Sequence, residues 1–395
     1  MSHYDAIIAG TGPAGASALY QLTQKGLKVL ALEKETFPRY KACGGCLSSK
    51  TKNFLNLDLS RLIQTEIFQV NFSYNLKEDF AIKAPGPVGH MVNRTLLDNL
   101  MVERALKAGG KINFGEKVVS FNVKPEKIEV TTPQTTYTAD YLLAAEGAAG
   151  IIGSTLNWHK NLTFYPTVTV ELEGDFPLIR EFPQTAWTDL FPSQGAYGWI
   201  FPKGEGVTIG VGKFSPRKKV KLQEIIEQIS QFRLNLTPEF KIHPHPIPCL
   251  HNFNKFPVKD RVFLLGDAGG LVDAFIGEGI YYAAFSGELA ACAIAESKNP
   301  KEAEANYIQS LKSKIYPELK AAGWIAAFMR RFPKIAYKLL KDHALMADFY
   351  RGVLGGEKSY QEVTDRVKNR LFLDSRLPQW LIKQIRGEKT EKPTV

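Results

Sequence analysis

Residues 4–33 read YDAIIAGTGPAGASALYQLTQKGLKVLALE. The apolar run Tyr4–Ala9 predicts a buried strand, ASALYQLTQKG a helix, and Lys28–Glu33 a second strand, with Gly10, Gly12 and Gly15 at the first junction. Each glycine has a task in such a unit. Gly10 permits the tight turn, Gly12 lets a pyrophosphate approach the backbone, and Gly15 allows the helix to pack closely on the strand. Pro13 and Ala14 share that turn, and Glu33, followed by Lys34, stands where a carboxylate can accept hydrogen bonds from an adenosine ribose. The stretch predicts dinucleotide binding on an α/β fold.

A second junction of the same kind lies far along the chain. Arg261–Leu265 is an apolar strand that runs into GDAGGLVDAFIGEGI, residues 266–280, which opens the helical pattern YYAAFSGELAACAIAE. Between the two junctions, Asp140–Ala145 is another apolar strand ending at Glu146 and Gly147. Two strand-to-helix junctions suit one long ligand. These three pieces, in this order, resemble the FAD-binding fold of the glutathione reductase and p-hydroxybenzoate hydroxylase superfamily. The resemblance implies FAD, with Asp267 on the ribityl chain and Gly277, Gly279 and Ile280 along the isoalloxazine ring. It further implies cofactor contacts from Ala145 and Gly147, from Arg94 at the start of VNRTLLDNL, from Arg39, and from a strand at Val118 and Val119 near the adenine.

Composition bounds the remaining classes. With 395 residues, 44% hydrophobic and 23% charged, the chain has the make-up of a globular protein of two or more lobes. Four cysteines cannot build a disulfide framework, and the N-terminus enters a strand without a secretory leader, so a cytoplasmic location is expected. No apolar run is long enough to span a bilayer, because Glu288 interrupts the 280s and Arg330 with Arg331 the 320s. The net charge of +10 fits anionic partners, but no zinc-finger spacing or Arg-rich tail accompanies it, which argues against nucleic acid.

Residues 38–48 read PRYKACGGCLS. A Cys-x-x-Cys is compatible with a redox dithiol, half of a zinc site, or a glycine loop pressed against a ligand. Together with GAYGWIFPKGEGVTIGVG at 195–212 and the 266–280 loop, it resembles the geranylgeranyl reductase family, from about residue 3 to 300. The resemblance implies an FAD-dependent reductase that hydrogenates isolated C=C bonds of a geranylgeranyl chain by hydride transfer from flavin N5. In that reading Cys43 and Gly44 border the flavin and the substrate and are the catalytic candidates, Gly45 completes the loop, Cys46 is a packing residue, and no metal is involved. The electron donor, NADPH or ferredoxin, stays open, since no second complete strand-GxGxxG-helix unit is present. Two rivals share the motifs: an oxygenating flavoenzyme such as a monooxygenase or halogenase, and a flavin electron-transfer protein acting on quinones.

The implied architecture is a glutathione reductase-type FAD-binding Rossmann domain over 1–64, 91–156 and 257–296, an inserted antiparallel β-sheet substrate domain over 65–90 and 157–256, and a C-terminal helical region over 297–395. Period-two alternation in TVTVELEG and VTIGVGKF supports the inserted sheet. Tyr197, Trp199 and Phe201 alternate along one strand and share a face, which fits either a tunnel for an isoprenoid lipid substrate or plain sheet core. His243, His245, Cys249 and His251 crowd KIHPHPIPCLHN, where three prolines favour a connecting segment over a metal site. The stretch AAGWIAAFMRRFPKIAYKLLKDHALMADFYRGVL mixes aromatic, aliphatic and basic residues, as expected of helices lying peripherally on a membrane surface or of a cap packed on the first lobe. The polar tail 387–395 is expected to be disordered.

Overall fold

Strand His3–Ala9 is buried over its C-terminal half and stands between two parallel neighbours, Val29–Glu33 and Thr136–Ala144. A strand flanked on both sides needs apolar residues on both faces, which is why Ala6–Ala9 and Val29–Leu32 read as unbroken hydrophobic runs. The computed structural model describes residues 2–191, 195–214, 219–236 and 241–373. The polar tail lies outside the described residues.

The sheet continues in the order Val258–Lys259, Val262–Leu264, Thr136–Ala144, His3–Ala9, Val29–Glu33, Lys111–Phe114, with two antiparallel strands, Ser120–Val123 and Ile128–Thr131, leaning on Thr136–Ala144. Ala9 pairs in register with Leu32 and Ala144, and Ala144 with Leu264. The carboxyl ends of four parallel strands are thereby level, and the turns that follow them meet along one edge. Helices Pro13–Gln24 and Ile280–Ala295 leave two of those turns and pack against each other, Ser17 donating to the Ala284 carbonyl at 2.8 Å.

A second sheet of seven strands runs in the order His243–Leu250, Leu162–Glu173, Gly206–Lys213, Ala196–Lys203, Thr185–Phe191, Gln69–Tyr74, Lys77–Lys83. One of its pairs, Thr185–Phe191 with Gln69–Tyr74, is parallel rather than antiparallel. Those strands come from distant parts of the chain and no hairpin fixes their direction. A third sheet joins Cys46–Ser48, Gly89–Val92 and Ile63–Ile67.

Two expectations are corrected here. The segment from His243 to Leu250 is a strand, not a connection. Pro244, Pro246 and Pro248 recur every second residue, so all three missing N–H groups point the same way, and the strand is the outermost of its sheet with that side unpaired. Val118 and Val119 lie between strands rather than in one.

The C-terminal helix Tyr316–Arg331 packs on both lobes: Tyr316 and Leu319 join the core of the first sheet, while the remainder of that helix and Pro333–Leu340 lay apolar residues towards the second sheet. Ile325, Leu340 and Phe349 join one core with Ile67, Phe72 and Leu190, and Tyr337 meets Tyr74 and Phe80 edge-on at 5.2 and 5.3 Å. Lys334, Lys338 and Lys341 stay on the outside. No described helix is long and apolar enough to cross a membrane.

Candidate active site

The three sheets and the C-terminal helices enclose one continuous cavity of about 690 Å³, within the range of cofactor and ligand sites. Every residue singled out above for cofactor or substrate lines it except Gly15 and Val119. Gly15 is covered by the turn it permits, and Val119 is 44% exposed while its buried neighbour Val118 reaches the wall.

At one end Gly10 turns with φ +91°, and a side chain there would meet the Ala145 carbonyl at 2.6 Å. The helix that follows, Pro13–Gln24, has no side-chain cap, so its first-turn N–H groups remain available to an anion. Glu33 is buried beside them and accepts from the Thr11 N–H at 2.7 Å and the Glu35 N–H at 3.0 Å, which fixes its carboxylate and leaves lone pairs free. Across the cavity Glu146 accepts from the Ile151 and Ile152 N–H groups, and burial pushes its carboxyl pKa up.

Further along, Asp267 opens the short helix Gly266–Gly269 and makes no hydrogen bond to the described residues through its carboxylate. The helix behind Gly279, Ile280–Ala295, is likewise uncapped by any side chain. Two free helix N-termini, a fixed carboxylate at one end and an unengaged one in the middle are the donor and acceptor set that a flavin dinucleotide requires, so the residues present fit FAD.

Arg39 and Arg94 reach the cavity wall from the same anchor. The fully buried Asp98 receives Arg94 at 2.8 and 2.9 Å and Arg39 at 3.2 Å. Burial disfavours the Arg94 charge, but Asp98 outweighs it and its pKa is raised. The Cys43 sulfur accepts from the Gly45 N–H at 3.4 Å and lies against Arg94.

Gly44 sits where a side chain would strike Phe201 at 3.1 Å and the Trp199 indole nitrogen at 3.2 Å. The aromatic ladder is therefore pressed onto the CGGC loop. Tyr197 and Trp199 stack at 5.6 Å, Phe201 follows at 6.2 Å, and the Trp199 N–H has no partner among the described residues. Gly210 and Gly212 on the neighbouring strand leave the room in which those rings lie. Cys46 is not a packing residue. Its accessible surface faces the cavity, and burial within that enclosure pushes its thiol up to about 12.

Several lining residues were not singled out from the sequence. Lys41, inside the quoted loop, donates to Nε2 of His245 on the proline-rich strand. Burial lowers both pKa values, and the proximity of Lys41 lowers that of His245 further. Only the pairing of distant segments brings those two together. Glu278 lies within the loop carrying Gly277 and Gly279, and Met329, Arg330 and Phe349 come from the C-terminal helices.

Comparison with known proteins agrees with this geometry. Residues 3–190 match the FAD binding domain family. The chain is 25% identical over 387 residues to a digeranylgeranylglycerophospholipid reductase of Methanococcus aeolicus, covering 94% of this chain and 92% of the relative. It is 28% identical over 312 residues to a menaquinone reductase of Mycolicibacterium smegmatis, covering 73% and 75%. It is 26% identical over 310 residues to a chloroplastic geranylgeranyl diphosphate reductase of Nicotiana tabacum, covering 73% of this chain and 65% of the plant enzyme. Among solved structures, a geranylgeranyl bacteriochlorophyll reductase-like protein of Thermoplasma acidophilum superposes with a TM-score of 0.75 at 18% identity, over 93% of this chain and 99% of that one. A flavin-dependent brominase gives 0.71 at 18% identity, over 94% and 99%, so the fold is shared with halogenating enzymes.

Proposed function

We propose that this chain is an FAD-dependent reductase of the geranylgeranyl reductase type and that it hydrogenates isolated C=C bonds in the isoprenoid chain of a lipid. The observation that carries this reading is the apolar half of the cavity. Beyond Gly44 and Glu278 the wall is formed by Phe72, Leu190, Trp199 and Phe201 on the sheet side and by Met329 and Phe349 on the helix side, with Arg330 beside Met329, a mainly apolar chamber continuous with the FAD cleft. The relatives named for geranylgeranyl diphosphate and for a digeranylgeranylglycerophospholipid support the same reading.

When bound and reduced, the flavin supplies a hydride at N5. The protein's part is to hold an unactivated double bond over the ring, exclude water, and provide a proton to the second carbon. Trp199 and Phe201 suit the first two tasks, because aromatic faces stabilise positive charge developing on an alkene carbon. Gly44 lets the chain lie close to the ring, and Cys43, held by Gly45 and Arg94, shapes that passage. Electrons come in this reading from NADPH docking transiently or from a ferredoxin. The exposed lysines of the C-terminal helices favour contact with an anionic lipid surface, from which a lipid substrate would enter.

The test is an anaerobic incubation of dithionite-reduced protein with a panel of geranylgeranyl lipids, diphosphates and prenylated quinones, read by mass spectrometry. Gains of two hydrogens that scale with enzyme are expected. No gain from protein with bound, reducible FAD would overturn the proposal. Cys43→Ala is expected to retain FAD and to lower turnover about tenfold, since a positioning defect of roughly 1.4 kcal/mol in the barrier has that effect. Full turnover in that variant would remove Cys43 from the mechanism.

A further inference from the structure

Beneath the loop that carries Gly277 and Gly279, Asp273 Oδ2, Glu278 Oε2 and the hydroxyls of Tyr282 and Tyr360 are buried without a hydrogen bond of ordinary geometry to the described residues, the Tyr360 hydroxyl and the Asp273 carboxyl lying close enough to interact with each other. Asp273, Tyr282 and Tyr360 have no exposure at all. Leaving such atoms unpaired costs about 1–3 kcal/mol each, and buried polar groups of this kind are ordinarily bridged by ordered water.

The four are neighbours. Asp273 and Glu278 close the loop, the Asp273 N–H donating to the Glu278 carbonyl at 3.1 Å. Tyr282 comes from the helix Ile280–Ala295 and Tyr360 from the helix Tyr360–Leu373, and both phenols face the two carboxyl groups, which raise their pKa values beyond the effect of burial. Glu278 is the member that reaches the cavity wall. Its Oε1 accepts from the hydroxyls of Ser48 and Thr51, the latter at 2.6 Å, while its Oε2 stays free.

We propose that Asp273, Glu278, Tyr282 and Tyr360, with bridging water, form a buried proton relay that feeds the cavity through the Glu278 carboxyl. The inference rests on the alkene-reduction reading above, which requires one proton for each hydride. One alkene carbon takes the hydride from reduced flavin, and the other takes the proton of Glu278. The resulting carboxylate is refilled from Asp273, and Asp273 from solvent through the phenols and water. The balance is one hydride and one proton gained by the lipid, two electrons lost by the flavin, and one proton drawn from bulk, with the flavin re-reduced by NADPH or ferredoxin.

The surroundings suit a group that keeps a proton near neutrality. Besides Glu278, Asp273 is faced by Tyr282, Tyr360, Tyr197 and Cys249. Glu318 acts on Tyr282, Lys50 lies over the Tyr282 ring at 5.6 Å, Arg330 acts on Cys249, and no salt bridge to Asp273 is present among the described residues. Burial therefore raises the Asp273 carboxyl to about 6. A raised acid pKa means that the proton is held below that value and released above it, so both the supply of protons and the stability gained from burying the neutral acid decline as pH rises through about 6.

The experiment uses flavin-loaded, full-length protein. Asp273→Asn keeps the oxygen that accepts from the Phe275 and Ile276 N–H groups at 2.6 and 3.1 Å but removes the acid. In single turnovers of dithionite-reduced protein with a geranylgeranyl lipid, the wild-type rate is expected to fall as pH rises through about 6. Asp273→Asn should be about 100-fold slower and lack that inflection, with substrate affinity unchanged. Infrared spectra without substrate give a second readout. A protonated-carboxyl band should titrate in the wild type, vanish in Asp273→Asn and shift in Tyr360→Phe.

A wild-type rate and pH profile in Asp273→Asn, or no titrating band in the wild type, would overturn the relay while leaving the alkene reduction standing. A wild type that reduces no prenyl compound but shows the band and its shift would overturn the reaction and leave the relay. If Asp273→Asn fails to hold FAD, Tyr360→Phe decides by the same two readouts.

Discussion

Replacing Asp98 with alanine is expected to destabilise the protein by about 3–5 kcal/mol, as removal of one partner from a buried ion pair does. The cost is not the loss of an attraction but the stranding of charge. Asp98 is fully buried and receives two hydrogen bonds from Arg94, itself 8% exposed, and a third contact from Arg39. Without the carboxylate both guanidinium groups stay cationic, since arginine cannot shed its proton, and no other acid among the described residues pairs with either of them. A urea titration of the wild type and Asp98→Ala reads the difference, with Asp98→Asn expected in between because its carbonyl can accept one of the bonds. A loss below about 1 kcal/mol would mean that water entering the cavity satisfies both arginines, and the pair would then be a feature of the site rather than of the fold.

Gly15→Ala is expected to weaken FAD binding about 100-fold. A Cβ at Gly15 would stand 1.9 Å from the Gly10 carbonyl oxygen and 3.2 Å from the Ala145 side chain. The first of these is backbone and cannot rotate away, so the helix Pro13–Gln24 must move off the strand His3–Ala9. Overpacking of this kind costs roughly 1–3 kcal/mol, and here the displacement falls on the helix N-terminus that would receive the FAD pyrophosphate, which converts the upper end of that range into two decades of affinity. Flavin absorbance of the purified variant and a fluorescence titration of the apoprotein measure it. Wild-type flavin content in Gly15→Ala would show that the junction yields without moving the helix end.

How much of this was legible in the sequence depended on range. The opening strand, turn and helix were, because glycine spacing and hydrophobic period are local signals and the helix packs on the strand beside it. Asp267, Gly277 and Gly279 were legible by motif, and they do line the same cavity as Gly10 and Glu33. Lys41 with His245 was not, since their contact depends on the register of the outer strand against Leu162–Glu173 and on how the CGGC loop crosses it. The proline-rich strand reads locally as a connection. Its three prolines argue against a strand in general, and only the sheet order reveals that all three face an unpaired edge. The direction of Cys46 is not legible either, because side-chain direction at the end of a short strand depends on its partner, Met91.

The sequence by itself determined the kind of molecule: an α/β protein that closes a glycine turn over a dinucleotide, with an aromatic strand of alternating Tyr197, Trp199 and Phe201. Local geometry suffices for that, since turns, caps and strand periodicity are set by residues within a few positions of one another. What the aromatic strand faces, what the C-terminal helices cover, and how Asp273 meets Tyr360 were decided by tertiary structure alone. Those relations join segments far apart in the chain, and burial, which sets both the apolar chamber and the raised pKa of its buried acid, is a property of the assembled core rather than of any stretch of residues.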